Sequence, residues 1–203
     1  MEIAQEVSRR EEILDAAVKA FAEGGYHGTS MEDIAEVVGV RKRALYHYFS
    51  SKDELLFMTL KQPTEMLIGM LEKIAASSDR PTEKLRQAFF LHIRTMVEHL
   101  DDLRVLLSET KYLTPRRKKQ IVALRDKYES LFRKIIREGV DSGELRALDI
   151  KLMTFSIMAI GNWINQWYKP GGMSPEELAT RFWDIICGGI VARSEDGLTA
   201  RSQ

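Results

Sequence analysis

The chain contains little cysteine, no long hydrophobic run and no leading apolar segment. Cys187 is the only cysteine among 203 residues, so no disulfide can form within the chain, and a reducing compartment is expected. The most apolar stretch, from Met153 to Trp163, is too short to cross a bilayer. The first ten residues lack the apolar core of a signal peptide. We therefore expect a cytoplasmic protein without a membrane-spanning segment.

Sustained alternation of β-branched and polar residues is also missing, which excludes an extensive β-sheet. The five prolines and thirteen glycines fall mostly where one apolar segment ends and the next begins. Within the segments, apolar residues recur at intervals of three and four, which is the spacing of amphipathic helices. The sequence predicts an all-α fold of about nine helices.

A surplus of basic residues is absent as well. The 30 Lys and Arg residues equal the 30 Asp and Glu residues, and residues 1–61 carry eight basic against eleven acidic side chains. A protein that coats nucleic acid without sequence preference should have a basic surface, so a specific regulator is favoured over a coating protein. Any DNA binding must rely on a small cluster of well-placed cations.

A short segment at residues 29–54 has the pattern of two helices joined by a tight turn, followed by the start of a third. It opens with hydroxyl residues and carboxylates three positions later, and Gly39 stands where the turn needs a positive φ. Arg41, Lys42 and Arg43 begin the second helix, although cations are unfavourable at a helix N-terminus. In a helix-turn-helix this end of the second helix enters the major groove, so we predict that the three cations contact DNA.

These motifs resemble the DNA-binding domain of the tetracycline-repressor (TetR) family. The resemblance rests on an opening helix at residues 9–23, a Gly-Tyr-x-Gly-Thr-Ser turn at 25–30 and a Leu-Tyr-x-Tyr-Phe-x-x-Lys-x-x-Leu signature at 45–55. It implies a three-helix DNA-binding head followed by a larger helical domain for ligand binding and dimerisation.

Domain boundaries follow from this resemblance. We expect a helix-turn-helix DNA-binding domain at residues 8–61, with the motif itself at about 31–49. A helical ligand-binding and dimerisation domain should occupy residues 62–194. Residues 195–203 should form a flexible tail.

Residues around the motif are expected to complete the DNA contact. By resemblance to the family, Tyr46 and His47 touch phosphate, although either could instead pack on the first helix. Thr29 and Lys52 lie at helix N-termini, where backbone N–H groups favour an anion, so both are assigned to phosphate. The predicted DNA-binding residues are Thr29, Arg41, Lys42, Arg43, Tyr46, His47 and Lys52.

Pro63 interrupts the apolar face of the helix that begins near Ser51. An interior proline removes a backbone hydrogen bond and costs a helix about 3 kcal/mol. Either Pro63 is the first residue of a separate helix, or one helix is kinked there. A plain break and a hinge that carries motion toward the DNA-binding head both remain possible at this stage.

The last two helical segments, residues 150–168 and 174–193, are apolar on nearly every face. A helix that is hydrophobic all round must be buried all round, and a second copy of the chain would cover the outer faces. We expect a homodimer through a four-helix bundle, with Phe182, Ile185, Ile186 and Gly189 at the interface. The alternative is that both helices lie at the centre of the monomer core.

The resemblance also implies a ligand cavity in the larger domain. The residues expected to line it are Phe89, Met96, Tyr128, Phe132, Met158, Trp163 and Trp167, although each would by default be a core residue. Residues 162–172 and the later Gly188-Gly189-Ile190 resemble the branch of the family that senses fatty-acyl-CoA and related CoA thioesters. The basic run at 116–119 could meet the CoA phosphates, and a solvated helix start is the alternative.

The sequence contains two histidines on one predicted helix and lacks catalytic motifs. His92 and His99 are seven residues apart and would share a helix face, but no cysteine joins them, so buried or pocket-lining histidines are favoured over a metal site. No nucleophile–base signature, phosphate-binding loop or dinucleotide-binding turn is present. We expect no catalytic residue, no metal and no cofactor.

The resemblance as a whole implies a DNA-binding transcriptional regulator. The expected function is repression of genes of lipid or acyl-CoA metabolism, with release from an inverted-repeat operator when an acyl-CoA binds. The alternative is a sensor of drugs or other small apolar ligands that controls an efflux gene. The expected partners are double-stranded operator DNA, a second copy of the chain and a small apolar effector.

Overall fold

The computed structural model describes residues 2–188, and all regular elements within that range are helical. The α-helices are α1 (Glu2–Gly28), α2 (Met31–Val38), α3 (Lys42–Tyr48), α4 (Lys52–Ala76), α5 (Pro81–Glu98), α6 (Leu100–Ser108), α7 (Pro115–Asp141), α8 (Ile150–Asn162), α9 (Ile164–Trp167) and α10 (Pro175–Gly188), with a 3₁₀ turn at Thr110–Tyr112. None of these described helices is long and apolar enough to cross a membrane.

The predicted all-α fold is confirmed for the described residues. The predicted count of nine helices is also met there, because only Trp163 separates the four-residue α9 from α8, so the two form one interrupted helix. The expected tail at residues 195–203 and the expected end of the last helix near Arg193 lie outside the described residues.

The opening helix is longer than the predicted 9–23. α1 begins at Glu2 and ends at Gly28, with a break in helical geometry at Gly25, where φ is +68°. Glycine tolerates this left-handed region, so the chain turns there without the strain that a side chain would add. A residue far along the chain stabilises the helical turn after Gly25: the N–H of Tyr26 donates to the carboxylate of Glu109 at 2.7 Å.

Local capping contacts fix the start and end of α2. The Ser30 hydroxyl accepts the N–H groups of Glu32 and Asp33, and the Asp33 carboxylate accepts the Ser30 N–H at 2.8 Å. The hydrogen bond from the Ser30 N–H, together with the Ser30 hydroxyl, holds the pKa of the Asp33 carboxyl below its usual range. Gly39 ends the helix at a φ of +72°, so the predicted capping box and left-handed turn are both confirmed.

α4 joins the two hydrophobic clusters of the molecule. Leu55, Leu56 and Leu60 pack with α1, α2 and α3 in a head cluster, whereas Ile68 and Leu71 belong to a body cluster with α5, α7, α8 and α10. The expected boundary between residues 61 and 62 therefore falls inside one continuous helix. The division into two domains stays a prediction.

Pro63 lies inside α4, so a separate helix that starts at Pro63 is excluded. Because proline has no N–H, the carbonyl of Thr59 lacks its helical donor. One position later, the Thr64 hydroxyl donates to the carbonyl of Leu60 at 2.7 Å. A hinge at this point remains a hypothesis.

A buried polar contact ties α5, α7 and α8 together. The His92 ring lies 3.1 Å from the Met158 carbonyl through Nε2 and 3.2 Å from the Tyr128 hydroxyl through Nδ1. A carbonyl can only accept, so Nε2 carries the proton and Nδ1 accepts from Tyr128. Burial lowers the pKa of His92 to about 4, which keeps the ring neutral. Gly161 makes room for it, because a Cβ there would lie closer than 3.0 Å to the imidazole.

We expect Gly161→Ala to lower the free energy of unfolding by about 1–3 kcal/mol, because the added methyl must displace His92 from its two hydrogen bonds. Gly69→Ala is the matched control, since Gly69 lies in α4 with nothing within 4 Å of the added Cβ. That change should be neutral or stabilising by up to about 1 kcal/mol. Urea titration monitored by circular dichroism measures the free energy of unfolding of both variants. Equal stability of the two variants would show that α8 can move away from His92.

Candidate DNA-binding helix and ligand groove

α3 has one buried and one exposed side. Leu45 within the helix and Phe49 directly after it are fully buried in the head cluster. The opposite side is exposed and presents Arg41, Lys42, Arg43, Tyr46 and His47. The two buried anchors thus hold the helix so that five predicted DNA-binding residues face outward together.

The cations at the start of α3 differ in their partners. Lys42 pairs with Glu32 at 3.1 Å, and this contact raises the pKa of Lys42. Among the described residues, Arg41 and Arg43 form no ion pair, and the first turn of α3 contains no acidic residue. Two guanidinium groups at this end of the helix are therefore available to an external anion.

Thr29 and Lys52 are occupied by the protein itself, which does not support their assignment to phosphate. Thr29 is buried, and its hydroxyl lies 2.9 Å from the carbonyls of Ala20 and Gly25. The Lys52 ammonium donates to the carbonyls of Tyr26 and Thr29 at 2.8 and 2.9 Å and lies over the Tyr26 ring. Both side chains stabilise the corner between α1 and α2.

Val105, Leu113 and Ile121 pack in the head cluster, and polar and aromatic contacts also join the head to the segment between α6 and α7. Tyr112 stacks on Tyr26 with ring centroids 5.7 Å apart, next to the hydrogen bond from the Tyr26 N–H to Glu109. Asp53, at the start of α4, forms an ion pair with Arg117, in the first turn of α7. Because Arg117 is held by this pair, it does not support the assignment of the basic run at 116–119 to CoA phosphates.

An apolar groove of about 420 Å³ lies between α1, α4, α5 and α6. Four methionines line it together with leucines, and methionine adapts to ligands of irregular shape. The lining methionines are Met58, Met66, Met70 and Met96. Of the seven predicted ligand-binding residues, Met96 is the one that reaches this groove. The sequence did not indicate the contribution of α1 and α6, because both helices have the pattern of ordinary amphipathic segments.

The other six predicted ligand-binding residues lie elsewhere. Phe89, Tyr128 and Phe132 are buried in the body cluster, and Met158 packs against it. Trp163 and Trp167 are 65% and 43% exposed. The aromatic rings were thus assigned to a cavity, whereas the structure uses them to fill the core or leaves them on the outer surface of α8 and α9.

α8 and α10 each expose apolar side chains, so the alternative that both helices lie at the centre of the monomer core is wrong, and their burial by a second copy stays a prediction. The exposed apolar residues are Leu152 and Phe155 on α8, Trp163 directly after α8, and Ile185 on α10. Phe182 and Ile186, two other predicted interface residues, are half-buried against the body cluster, whereas Ile185 is exposed. Gly189, the fourth predicted interface residue, lies outside the described residues.

The two histidines do not share a helix face. His92 is buried in the core of the body, whereas α5 ends at Glu98 and leaves His99 exposed beyond it, 3.5 Å from Asp102. Within residues 2–188, no group of three His, Cys, Asp or Glu side chains is arranged to hold a metal ion.

Comparisons with known proteins agree with this architecture. Residues 13–58 match the family described as "Bacterial regulatory proteins, tetR family", and residues 78–190 match "Tetracyclin repressor-like, C-terminal domain". The HTH-type transcriptional repressor KstR2 of Mycolicibacterium smegmatis is 30% identical over 196 residues, which cover 95% of each chain.

Two solved structures extend the comparison to three dimensions. The TetR family regulator PfmR from Thermus thermophilus shares 35% identity and a TM-score of 0.84 over 91% of this chain and 98% of its own. AibR, solved in complex with isovaleryl coenzyme A and operator DNA, shares 26% identity and a TM-score of 0.78 over 87% of this chain and 97% of its own. The chain therefore belongs to the TetR family of bacterial transcriptional regulators.

Proposed function

We propose that this protein is a transcriptional repressor of acyl-CoA or lipid metabolism genes that binds an inverted-repeat operator as a homodimer and is released by an acyl-CoA. Like other members of its family, it would act as a regulator and not as an enzyme. The observation that carries the proposal is the outward-facing set of cations on α3, held in place by two fully buried side chains.

DNA recognition would use the exposed side of α3. Arg41 and Arg43 are placed at the N-terminal end of the helix, which enters the major groove in a helix-turn-helix. Their planar guanidinium groups can donate two parallel hydrogen bonds to guanine or to phosphate. Tyr46 and His47 lie one turn later on the same exposed side and would contact the DNA backbone.

Dimerisation would cover the exposed apolar sides of α8 and α10. Exposed apolar side chains that lie close together often mark a protein–protein interface, so the large apolar side chains exposed on these two helices suggest one. Two copies related by a two-fold axis present two α3 helices, separated by about one turn of DNA, roughly 34–36 Å, or by a somewhat larger spacing. The matching operator is an inverted repeat.

The effector would occupy the groove between α1, α4, α5 and α6. Its apolar lining and its methionines suit a flexible acyl chain. The relative AibR is described in complex with isovaleryl coenzyme A, and KstR2 is described as a repressor. For this chain, AibR supports a CoA thioester as the ligand, and KstR2 supports repression as the effect on transcription.

α6 connects the groove to the DNA-binding head. Leu103 and Leu106 line the groove, and a few residues later Glu109 and Tyr112 contact Tyr26 in the head. A ligand that shifts α6 would also shift these contacts and change the distance between the two α3 helices of the dimer. Such coupling is reciprocal and typically amounts to about 1–3 kcal/mol.

An operator is first selected from random DNA with the wild-type protein. The operator-bound protein is then titrated with an acyl-CoA series, and release is monitored by fluorescence anisotropy. We expect a medium- or long-chain acyl-CoA to raise the melting temperature of the free protein and to release the operator, whereas free CoA does neither. At a hundred times its dissociation constant, a ligand that binds only the DNA-free form shifts the balance by about 2.7 kcal/mol per site.

One observation favours the alternative function as a sensor of apolar cations. Carboxylates from three helices, Glu11, Asp15, Glu98 and Asp102, also line the groove. If no thioester displaces the operator while an apolar cation does, the acyl-CoA effector is wrong and a drug sensor becomes the better interpretation. If neither displaces it, release by a ligand of this groove is wrong altogether.

A further inference from the structure

A second cavity of about 440 Å³ adjoins the apolar groove, between α4, α5 and the start of α10. Three cationic side chains line it, Lys73, Arg86 and Arg94, and we call this cavity the basic basin. Met70, Leu91 and Arg94 line both the groove and the basin, so the two spaces meet at these residues. A single extended ligand could therefore occupy both.

The cations of the basic basin are only partly neutralised. Arg86 forms two hydrogen bonds to Glu83, at 2.8 and 2.9 Å, and lies over the Phe90 ring. Lys73 and Arg94 are exposed and have no ion pair among the described residues. Two cations thus face the same cavity without an acidic partner, and Glu176 is the single carboxylate among the residues that line the basin.

The opposite end of the groove carries the opposite charge. Asp15 on α1 and Asp102 on α6 line the groove on the side of the head, together with Glu11 and Glu98. A phosphate placed there would be repelled by several carboxylates, whereas a phosphate in the basin would meet two or three cations. The groove and the basin therefore impose one orientation on a ligand that has an apolar chain and an anionic end.

We propose that the basic basin binds the phosphate groups of the CoA thioester, with Lys73 and Arg94 as the main contacts, and that the acyl chain runs along the groove past Met70 toward Leu103 and Leu106 on α6. This proposal rests on the proposed acyl-CoA effector and adds its orientation. It places the CoA phosphates at α4 and α5, and not at residues 116–119, the site that the sequence suggested. In this orientation chain length decides how far the ligand presses on α6.

The test compares decanoyl-CoA with decanoyl-pantetheine, which has the same thioester and chain but no phosphate. Binding to the full-length wild type and to Lys73→Ala, Arg94→Ala and the double variant is measured by calorimetry. We expect each single change to weaken decanoyl-CoA binding by about tenfold and the double change by about a hundredfold. Decanoyl-pantetheine should bind all four proteins equally, which also shows that the variants are folded.

Arg125→Ala with Lys134→Ala is the matched control, because both are exposed cations on α7 that line neither cavity. If the double basin variant binds decanoyl-CoA as tightly as the wild type, the phosphate site is wrong while the acyl-CoA effector stands. A loss confined to Arg116→Ala, Lys118→Ala and Lys119→Ala would place the phosphates at the start of α7 and would overturn the proposal. If the wild type binds neither thioester, both the effector and its orientation are wrong.

Discussion

Replacing both Arg41 and Arg43 with alanine should lower operator affinity by at least about a thousandfold. Each base-edge or phosphate contact of an arginine is worth about 1–3 kcal/mol. Because the proposed dimer carries every substitution twice, the double variant loses up to four contacts. Both side chains are exposed and unpaired among the described residues, so their removal should leave the fold and the dimer unchanged.

Lys42 provides an internal comparison for this prediction. Its ammonium group already pairs with Glu32, so binding DNA requires it to give up or share that contact. We expect Lys42→Ala to weaken operator binding less than either arginine substitution does. The distant cations Arg125 and Lys134 serve as controls for a general loss of positive charge, and their replacement should have no measurable effect.

Electrophoretic mobility shift or fluorescence anisotropy with the selected operator measures these affinities at several salt concentrations. A lost phosphate contact lowers the slope of log affinity against log salt by about 1, whereas a lost base contact lowers affinity for the operator more than for random DNA. Binding that is indifferent to Arg41, Lys42 and Arg43 would show that α3 does not face the DNA in the proposed way.

The local parts of the head could be predicted from the sequence because their causes lie within a few residues of each other. The Ser30 cap is completed by groups two and three positions later, and Gly39 ends α2 through its own φ. The burial of Leu45 and the exposure of the arginines follow from the helical spacing alone. Such features need no knowledge of how distant segments pack.

The assignments that the structure does not support concern side chains whose partner is far away in the sequence. Lys52 was assigned to DNA, but its acceptors are carbonyls 23 and 26 residues earlier. Arg117 was a candidate for a CoA phosphate, yet it is bound to Asp53, 64 residues away. A charged side chain at a helix start has the same sequence pattern whether its partner is a ligand or another part of the chain.

The ligand site was hard to predict for a different reason. Core filling and cavity lining both use large apolar side chains, and the sequence does not distinguish a gap between helices from close packing. Phe132 and Met96 have equally apolar surroundings in the sequence, but one is fully enclosed by the body cluster and the other borders the groove. Only the relative placement of α1, α4, α5 and α6 creates the space.

The same ambiguity applied to α8 and α10, where the apolar pattern did not say which side faces the core. Leu152, Phe155 and Trp163, which follows the last residue of α8, fall on one side at helical spacing, three and then eight residues apart, and all three are exposed in the single chain. Their opposite side, with Thr154 and Ile157, is buried. A second copy of the chain is the partner that the homodimer proposal assigns to this exposed side.

Phe155→Glu and Ile185→Glu should each convert a dimer into a folded monomer. In the proposed dimer both positions would bury a carboxylate without a partner, twice per interface, at a cost of several kcal/mol. In the monomer both are already exposed, at 43% and 48%, and Arg133 and Lys151 lie close enough to the ring of Phe155 to pair with a glutamate. Phe182→Glu or Ile186→Glu would be less informative, because these side chains also pack in the body cluster.

Sedimentation velocity and operator binding measure the effect together. We expect a wild-type dimer at micromolar concentration, a dissociation constant raised at least about a thousandfold in each variant, and a comparable loss of operator affinity, because a monomer reaches one half-site only. Val122→Glu is the matched control, since Val122 on α7 is 41% exposed and lies outside the apolar sides of α8 and α10. It should remain a dimer. A wild type that sediments as a monomer, or glutamate variants that remain dimers, would mean that the exposed side of α8 and α10 does not hold two copies together. Binding to an inverted repeat would then require a different arrangement of the two heads.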